Sequence, residues 1–174
     1  MSAPKRKNAI SGQFAARLIE MIESPAYRVL SLSGHRVLSR IEIEYAHHGG
    51  QDNGKLPVTF DDFEAYGIHR SVIGPAIAEV EALGFIEVTE RGSRALKAEY
   101  RRPNKFRLTS RPANGQRDGT HDWRQFATME EAEAAAAGAR RGENLKAAST
   151  KNVLKTVRKT HQNLRISSAE NVPR

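Results

Sequence analysis

Residues 56–88 read LPVTFDDFEAYGIHRSVIGPAIAEVEALGFIEV, and the architecture turns on how this stretch folds. "KLPVT" (55–59) is too short for a helix and carries a proline, so it reads as a brief edge strand. Thr59 is placed to cap a short helix over 60–66, whose first turn holds Asp61 and Asp62 as the positive end of a helix dipole favours. Phe60 and Phe63 point inward and Gly67 closes this helix in a tight turn. A second helix follows over 69–83, with Ile73, Ala76, Ile77 and Val80 on one inner face and Gly84 as its C-terminal signal. Gly74-Pro75 sits inside it, where a proline costs about 3 kcal/mol. Two readings stay open. Either the helix starts at His69 and carries the pair on its outward face, or it starts near Pro75 and "HRSVIG" is an extended turn.

Downstream, "FIEVTE" (85–90) alternates as a strand does, and "EYRRPNKFRLTS" (99–110) returns with Tyr100, Phe106 and Leu108. Between them "RGSRALKA" (91–98) makes a polar, basic tip, so the pair reads as a hairpin. Turn-rich residues 111–127 form a connector in which "THDWRQF" (120–126), with Trp123, packs back as a further extended piece. Thr128 and Glu131 are spaced as a capping box for the alanine-rich helix 129–141, which lacks a strong apolar stripe and reads as exposed or lightly docked. Upstream, Phe14, Leu18 and Ile22 are spaced four apart, which predicts a helix over 13–23 ended by Pro25. Residues 35–48 place Val37, Leu38, Ile41 and Tyr45 on one stripe of another helix, with Glu42 and Glu44 facing solvent. Gly49-Gly50 stops it and "QDNG" (51–54) turns the chain.

Charge divides the chain in three. Residues 1–7 carry Lys5, Arg6 and Lys7 with no acid, and residues 138–174 carry nine Lys/Arg against Glu143 and Glu170. The segment between them is slightly acidic, so a near-neutral body bears two basic arms within a net charge of +8. Such arms neutralise phosphates; the plainer alternative is a solvated, disordered tail. No run of eighteen apolar residues predicts a membrane span, and the N-terminus lacks the apolar stretch of a secretion signal. With no cysteine there is neither a disulfide framework nor a thiolate metal cage, which points to the cytoplasm.

Helix, short strand, short helix, tight turn, helix and hairpin, carried by 56–109, resembles the winged helix-turn-helix family. A capping threonine, a Gly-aliphatic turn, an "I…AI…V" inner face running into "LGFI", and a basic hairpin are the matching parts. The longer stretch 26–109 further resembles uncharacterised bacterial winged-helix proteins associated with mobile elements, similar in plan to the N-terminal domains of plasmid and phage replication proteins. The resemblance implies a mainly α, α+β fold with a small β wing. It divides the chain into a disordered basic arm (1–12), a winged helix-turn-helix domain (13–110), the connector (111–127), the alanine-rich helix (128–141) and a basic, mostly disordered tail (142–174).

It also implies double-stranded DNA as partner, bound by a transcriptional regulator or by a replication or recombination accessory, and with it association with the nucleoid. Helix 69–83 then enters the major groove with His69, Arg70, Ser71, Val72, Gly74 and Pro75 outward. Arg70 is the candidate for a guanine's acceptors, its alternative being an ion pair with Asp61 or Asp62, and His69 reads as a helix cap or phosphate contact. Arg91, Arg94, Lys97, Arg101, Arg102 and Lys105 cluster in the hairpin, opposed there only by Glu99, as a phosphate-tracking wing does. Lys5, Arg6, Lys7, Lys155, Arg158 and Lys159 are candidate contacts of the arms.

Helix 13–23 and helix 129–141 are candidates for a two-fold contact in a homodimer. None of His35, His47, His48, His69, His121 and His161 has metal-ligand spacing, and no phosphate loop or nucleophile-base pair is found. The reading is a non-enzyme without catalytic residues, metal or small-molecule cofactor. The competing class is a winged-helix module that holds a protein or RNA.

Overall fold

The computed structural model describes residues 11–92, 102–113 and 115–142. In chain order these form α1 (Ile19–Glu23), α2 (Pro25–Arg28), α3 (Leu32–His47), β1 (Leu56–Val58), α4 (Phe60–Ala65), α5 (Arg70–Ala82), β2 (Ile86–Glu90), β3 (Asn104–Leu108), a 3-10 turn (Asp122–Gln125) and α6 (Met129–Arg140). The three strands make one antiparallel sheet of order β1-β3-β2, and with the helices they give an α+β fold.

Caps define the helices. Thr59 and Asp62 form a reciprocal capping box at α4, and Thr128 and Glu131 form another at α6, both at the positions the sequence predicts. At the other end of α4, the Gly67 N–H donates to the Glu64 carbonyl (2.9 Å) and the Ile68 N–H to that of Phe63 (3.1 Å), with Gly67 at φ +87°. This Schellman closure buries Ile68 and turns the chain straight into α5. The same bonds close α5 through Gly84 and Phe85. Gly84 has a second constraint: a Cβ there would lie 2.6 Å from the Asp122 carbonyl carbon, so only glycine lets the returning chain cross.

Ile73, Ala76, Ile77 and Val80 of α5 are buried, as their spacing predicts, against Val37, Leu38 and Ile41 of α3 and the sheet residues Leu56, Val58, Ile86, Phe106 and Leu108. β1 is an edge strand, and Pro57 lies in it opposite Lys105. Asn53 latches the turn before β1 to the end of β3: its Oδ1 accepts from the Leu108 N–H (2.7 Å) while its Nδ2 donates to the Leu108, Arg111 and Pro112 carbonyls.

Several sequence expectations change. Only Ile19–Glu23 of the predicted helix 13–23 is helical, and Phe14, Leu18 and Ile22 are exposed while Met21 is buried. The preceding segment runs across α3 because Arg17 is drawn to Glu42, which is buried rather than solvent-facing. Arg17 Nε donates to both Glu42 oxygens at 3.0 and 2.9 Å, and its other nitrogens reach the Tyr27 and Ser39 hydroxyls. A carboxylate inside a helix bundle needs such a partner, and this long-range need outweighs a short helix's local preference.

α3 begins at Leu32 rather than His35, because Ser31 caps it by accepting from the Gly34 N–H. Residues 122–125 are a 3-10 turn rather than an extended piece, and they bury Trp123 in the core. The alanine-rich helix is docked: Ala132, Ala135, Ala136, Gly138 and Ala139 are buried where α6 packs on α5 and α2. Small side chains allow close approach, so a helix whose buried face is only alanine and glycine still completes the core.

One buried carboxylate joins three of these helices. Glu79 of α5 is fully buried and accepts from the Ser31 N–H (2.8 Å), the Ser31 hydroxyl (2.6 Å) and Arg140 Nη1 of α6 (2.8 Å). It therefore sits at the N-terminus of α3, where the helix dipole also favours negative charge.

Candidate nucleic-acid interface

α5 is helical from Arg70, so of the two readings of Gly74-Pro75 the continuous helix is the one observed. Pro75 is the sixth residue of α5 and its ring nitrogen cannot donate to the Ser71 carbonyl. His69 is the N-cap: its Nδ1 lies 2.7 Å from the Ser71 hydroxyl and accepts from the Ser71 N–H at 3.4 Å. His69, Arg70, Ser71, Val72 and Pro75 are exposed and Gly74 is half-buried, so the first two turns present one outward surface. An added Cβ at Gly74 would meet nothing within 4 Å outside its chain neighbours and the backbone of its own helix. The internal reason for that glycine is Pro75 itself, since a Cβ in helical conformation before proline collides with the proline ring.

Arg70 forms the ion pair that was the alternative to a base contact. Its Nη1 donates to Asp61 Oδ1 at 2.5 Å and to Glu64 Oε2 at 2.9 Å, both on α4. Hydrogen bonds to Asp61 and then Glu64 hold the guanidinium pKa above its ordinary value. Asp61 was foreseeable; Glu64 was not, because its approach depends on the angle that the Gly67 turn sets between α4 and α5. Arg36 of α3 donates to the Gly67 carbonyl at 2.7 Å and so lies beside the same turn.

The described part of the hairpin carries three of the six predicted basic residues. Arg91 pairs with Glu81 of α5 (3.0 Å) and Lys105 with Glu90 (2.7 Å), while Arg102 is exposed with no carboxylate in ion-pair range among the described residues. Lys105 lowers the Glu90 pKa through a hydrogen bond and its charge. Glu81 therefore ties the hairpin's base to α5, a pairing with no signal in the linear sequence. Arg94, Lys97 and Arg101, like Lys5, Arg6, Lys7, Lys155, Arg158 and Lys159, and Tyr100, lie outside the described residues. So do most of the basic arm and the tail beyond residue 142.

Two further histidines have carboxylate partners. His121 is buried with Nε2 3.2 Å from Asp118 Oδ1, and His48 lies 3.3 Å from Glu44 and 3.4 Å from Asp52. Among the described residues no group of three or more His, Asp or Glu is placed to hold a metal ion, and no helix is long and apolar enough to cross a membrane. Of the two candidate two-fold contacts, α6 has its small-residue face buried within the chain, whereas α1 leaves Leu18, Ile19 and Ile22 exposed. No family model, curated protein or solved structure matches this chain.

Proposed function

We propose that this chain is a winged helix-turn-helix protein that binds double-stranded DNA, with α5 in the major groove and the β2–β3 hairpin along the backbone. A transcriptional regulator or a replication or recombination accessory of a mobile element is the role that suits it. The observation that carries the reading is the arrangement of α4 and α5. They are joined through the Gly67 turn, they stand beside a sheet of order β1-β3-β2, and they leave the outward side of the first two turns of α5 exposed. An exposed helix face fits the major groove, and residues near its start reach base edges. Pro75, exposed on that side, supports it: the proline costs helix stability, and its apolar ring suits a thymine methyl.

The basic arms would add phosphate contacts. Affinity for duplex should then fall steeply with salt, by about 0.9 in log K per log salt for each phosphate neutralised. A titration of the full chain against mixed-sequence duplex between low and physiological salt tests this. Absent binding, or affinity that barely moves, overturns the proposal. Arg70→Ala should flatten preference between sequences, whereas neutralising Arg101 and Arg102 should weaken all duplexes alike.

A protein-binding module is the second reading, favoured by one observation. Asp61, Glu64, Glu81 and Glu90 already neutralise Arg70, Arg91 and Lys105, so the described face is far less positive than the linear sequence suggests. Failure to retain any duplex would select it.

A further inference from the structure

Arg70 is held by one nitrogen only. Both carboxylate contacts, to Asp61 and to Glu64, are made by Nη1. A guanidinium presents five N–H donors in a rigid fork, so the edge formed by Nε and Nη2 stays available with the acids in place. Arg70 is half-exposed, with its side chain at 48 % accessibility, and Asp61 and Glu64 are exposed at 73 % and 51 %. The two acids therefore face outward beside the arginine and are not buried behind it.

We infer that Asp61 and Glu64 are positioning residues that make Arg70 selective for the paired acceptors of a guanine and unsuited to a phosphate. This rests on the DNA-binding reading above and deepens it. A phosphate approaching Arg70 brings a negative charge towards two exposed carboxylates, and the repulsion offsets what the guanidinium offers. A guanine edge presents O6 and N7 without net charge, so Arg70 keeps both acids and donates through its remaining edge. The acids thus clamp the fork in orientation and penalise backbone contact at the same residue. Specificity arises as much from the rejected partner as from the accepted one.

Asp61 and Glu64 lie outside the capping box, which Thr59 and Asp62 form, so both can be changed with the fold retained. The test compares full-length wild type with Asp61→Asn/Glu64→Gln. Each is equilibrated with a randomised duplex library, the bound fraction is sequenced, and a single mixed-sequence duplex is titrated across salt. Thermal melting confirms that the variant is folded.

The expected result is that the variant binds mixed-sequence duplex several-fold tighter, with a salt slope steeper by about 0.9 because Arg70 then neutralises one more phosphate. Its recovered motif should lose guanine preference at one position, a discrimination of at least about fivefold for a bidentate pair. Arg70→Lys, which offers one nitrogen in place of a fork, should lose the same position without any rise in affinity. An unchanged motif and slope in a variant that binds duplex overturns the inference and leaves the DNA-binding reading standing. No duplex retained by wild type overturns both.

Discussion

Replacing Pro75 with alanine should stabilise the protein, and the size of the gain depends on Gly74. Pro75 is the sixth residue of α5, beyond the first turn where its missing N–H would be harmless. An interior helix proline costs about 3 kcal/mol relative to alanine, from the lost hydrogen bond and the ring's clash with the carbonyl four residues back. Gly74 relieves part of the strain, because it has no Cβ to meet the ring, so about 2 kcal/mol is the expected gain. For a body of this size that is a rise in Tm of about 8 °C.

Gly74→Ala alone should be neutral or destabilising, since the improved helix propensity is offset by the collision before proline. In a Pro75→Ala background the same change should add about 1 kcal/mol, because the added methyl meets nothing else within 4 Å. The four proteins form a double-mutant cycle readable by calorimetry or urea unfolding, with a coupling of about 1–2 kcal/mol. An unchanged or lower Tm for Pro75→Ala, or an equal effect of Gly74→Ala in both backgrounds, contradicts this account of the pair. If the stabilised variants also lose duplex affinity, the pair is retained for what it touches.

Four further outcomes rest on particular side chains. Burial, and then the Arg17 charge, lower the His35 pKa below 6.5 against the opposing pull of Glu79, so the unfolded chain binds the proton more readily. Stability held above about pH 6.5 should decline as pH falls below it, and His35→Phe, which keeps an edge contact with Tyr27, should flatten that limb of a urea-unfolding profile. Burial would raise the Asp62 pKa, but the Thr59 hydroxyl and N–H, with Arg40, hold it below 3.8. Its contribution is therefore present above that value and lost on acidification: Asp62→Asn should cost about 1 kcal/mol near neutrality, a deficit that shrinks as pH falls below 3.8. Glu79→Ala should cost about 1–3 kcal/mol by urea unfolding, leaving the Ser31 N–H and hydroxyl without their acceptor while the half-exposed Arg140 is solvated; no measurable loss would contradict its role. Trp123→Ala should cost about 3–5 kcal/mol in one cooperative transition, whereas a separate low-temperature transition would show that residues 111–142 melt apart from α3–β3.

Much of the fold was legible because its signals are local. Thr59, Gly67, Gly84 and Thr128 act within one helical turn of themselves, through orphan N–H and carbonyl groups that every helix end must satisfy. The buried stripe Ile73, Ala76, Ile77 and Val80 follows from helical periodicity alone. Helix 13–23 was misread because Phe14, Leu18 and Ile22 have that same periodicity, and periodicity does not say whether another layer exists to cover it. For helix 129–141 the sequence leaves exposure and light docking both open, since alanines give little apolar signal yet pack closely, and the structure selects docking.

At the candidate site, the outward set from His69 to Pro75 was readable from the inner stripe, but its electrostatics were not. Charge in the linear sequence is a sum; ion pairing is a matter of distance. Glu64 reaches Arg70, and Glu81 reaches Arg91, only once the Gly67 turn and the hairpin have set the elements against one another. Where most helices and strands begin and end is written along the chain, in caps, glycines and periodicity that operate over a few residues. Which charges are neutralised, which carboxylates are buried and which apolar faces are covered emerges only on folding, because those depend on groups far apart in the chain and a few ångströms apart in space.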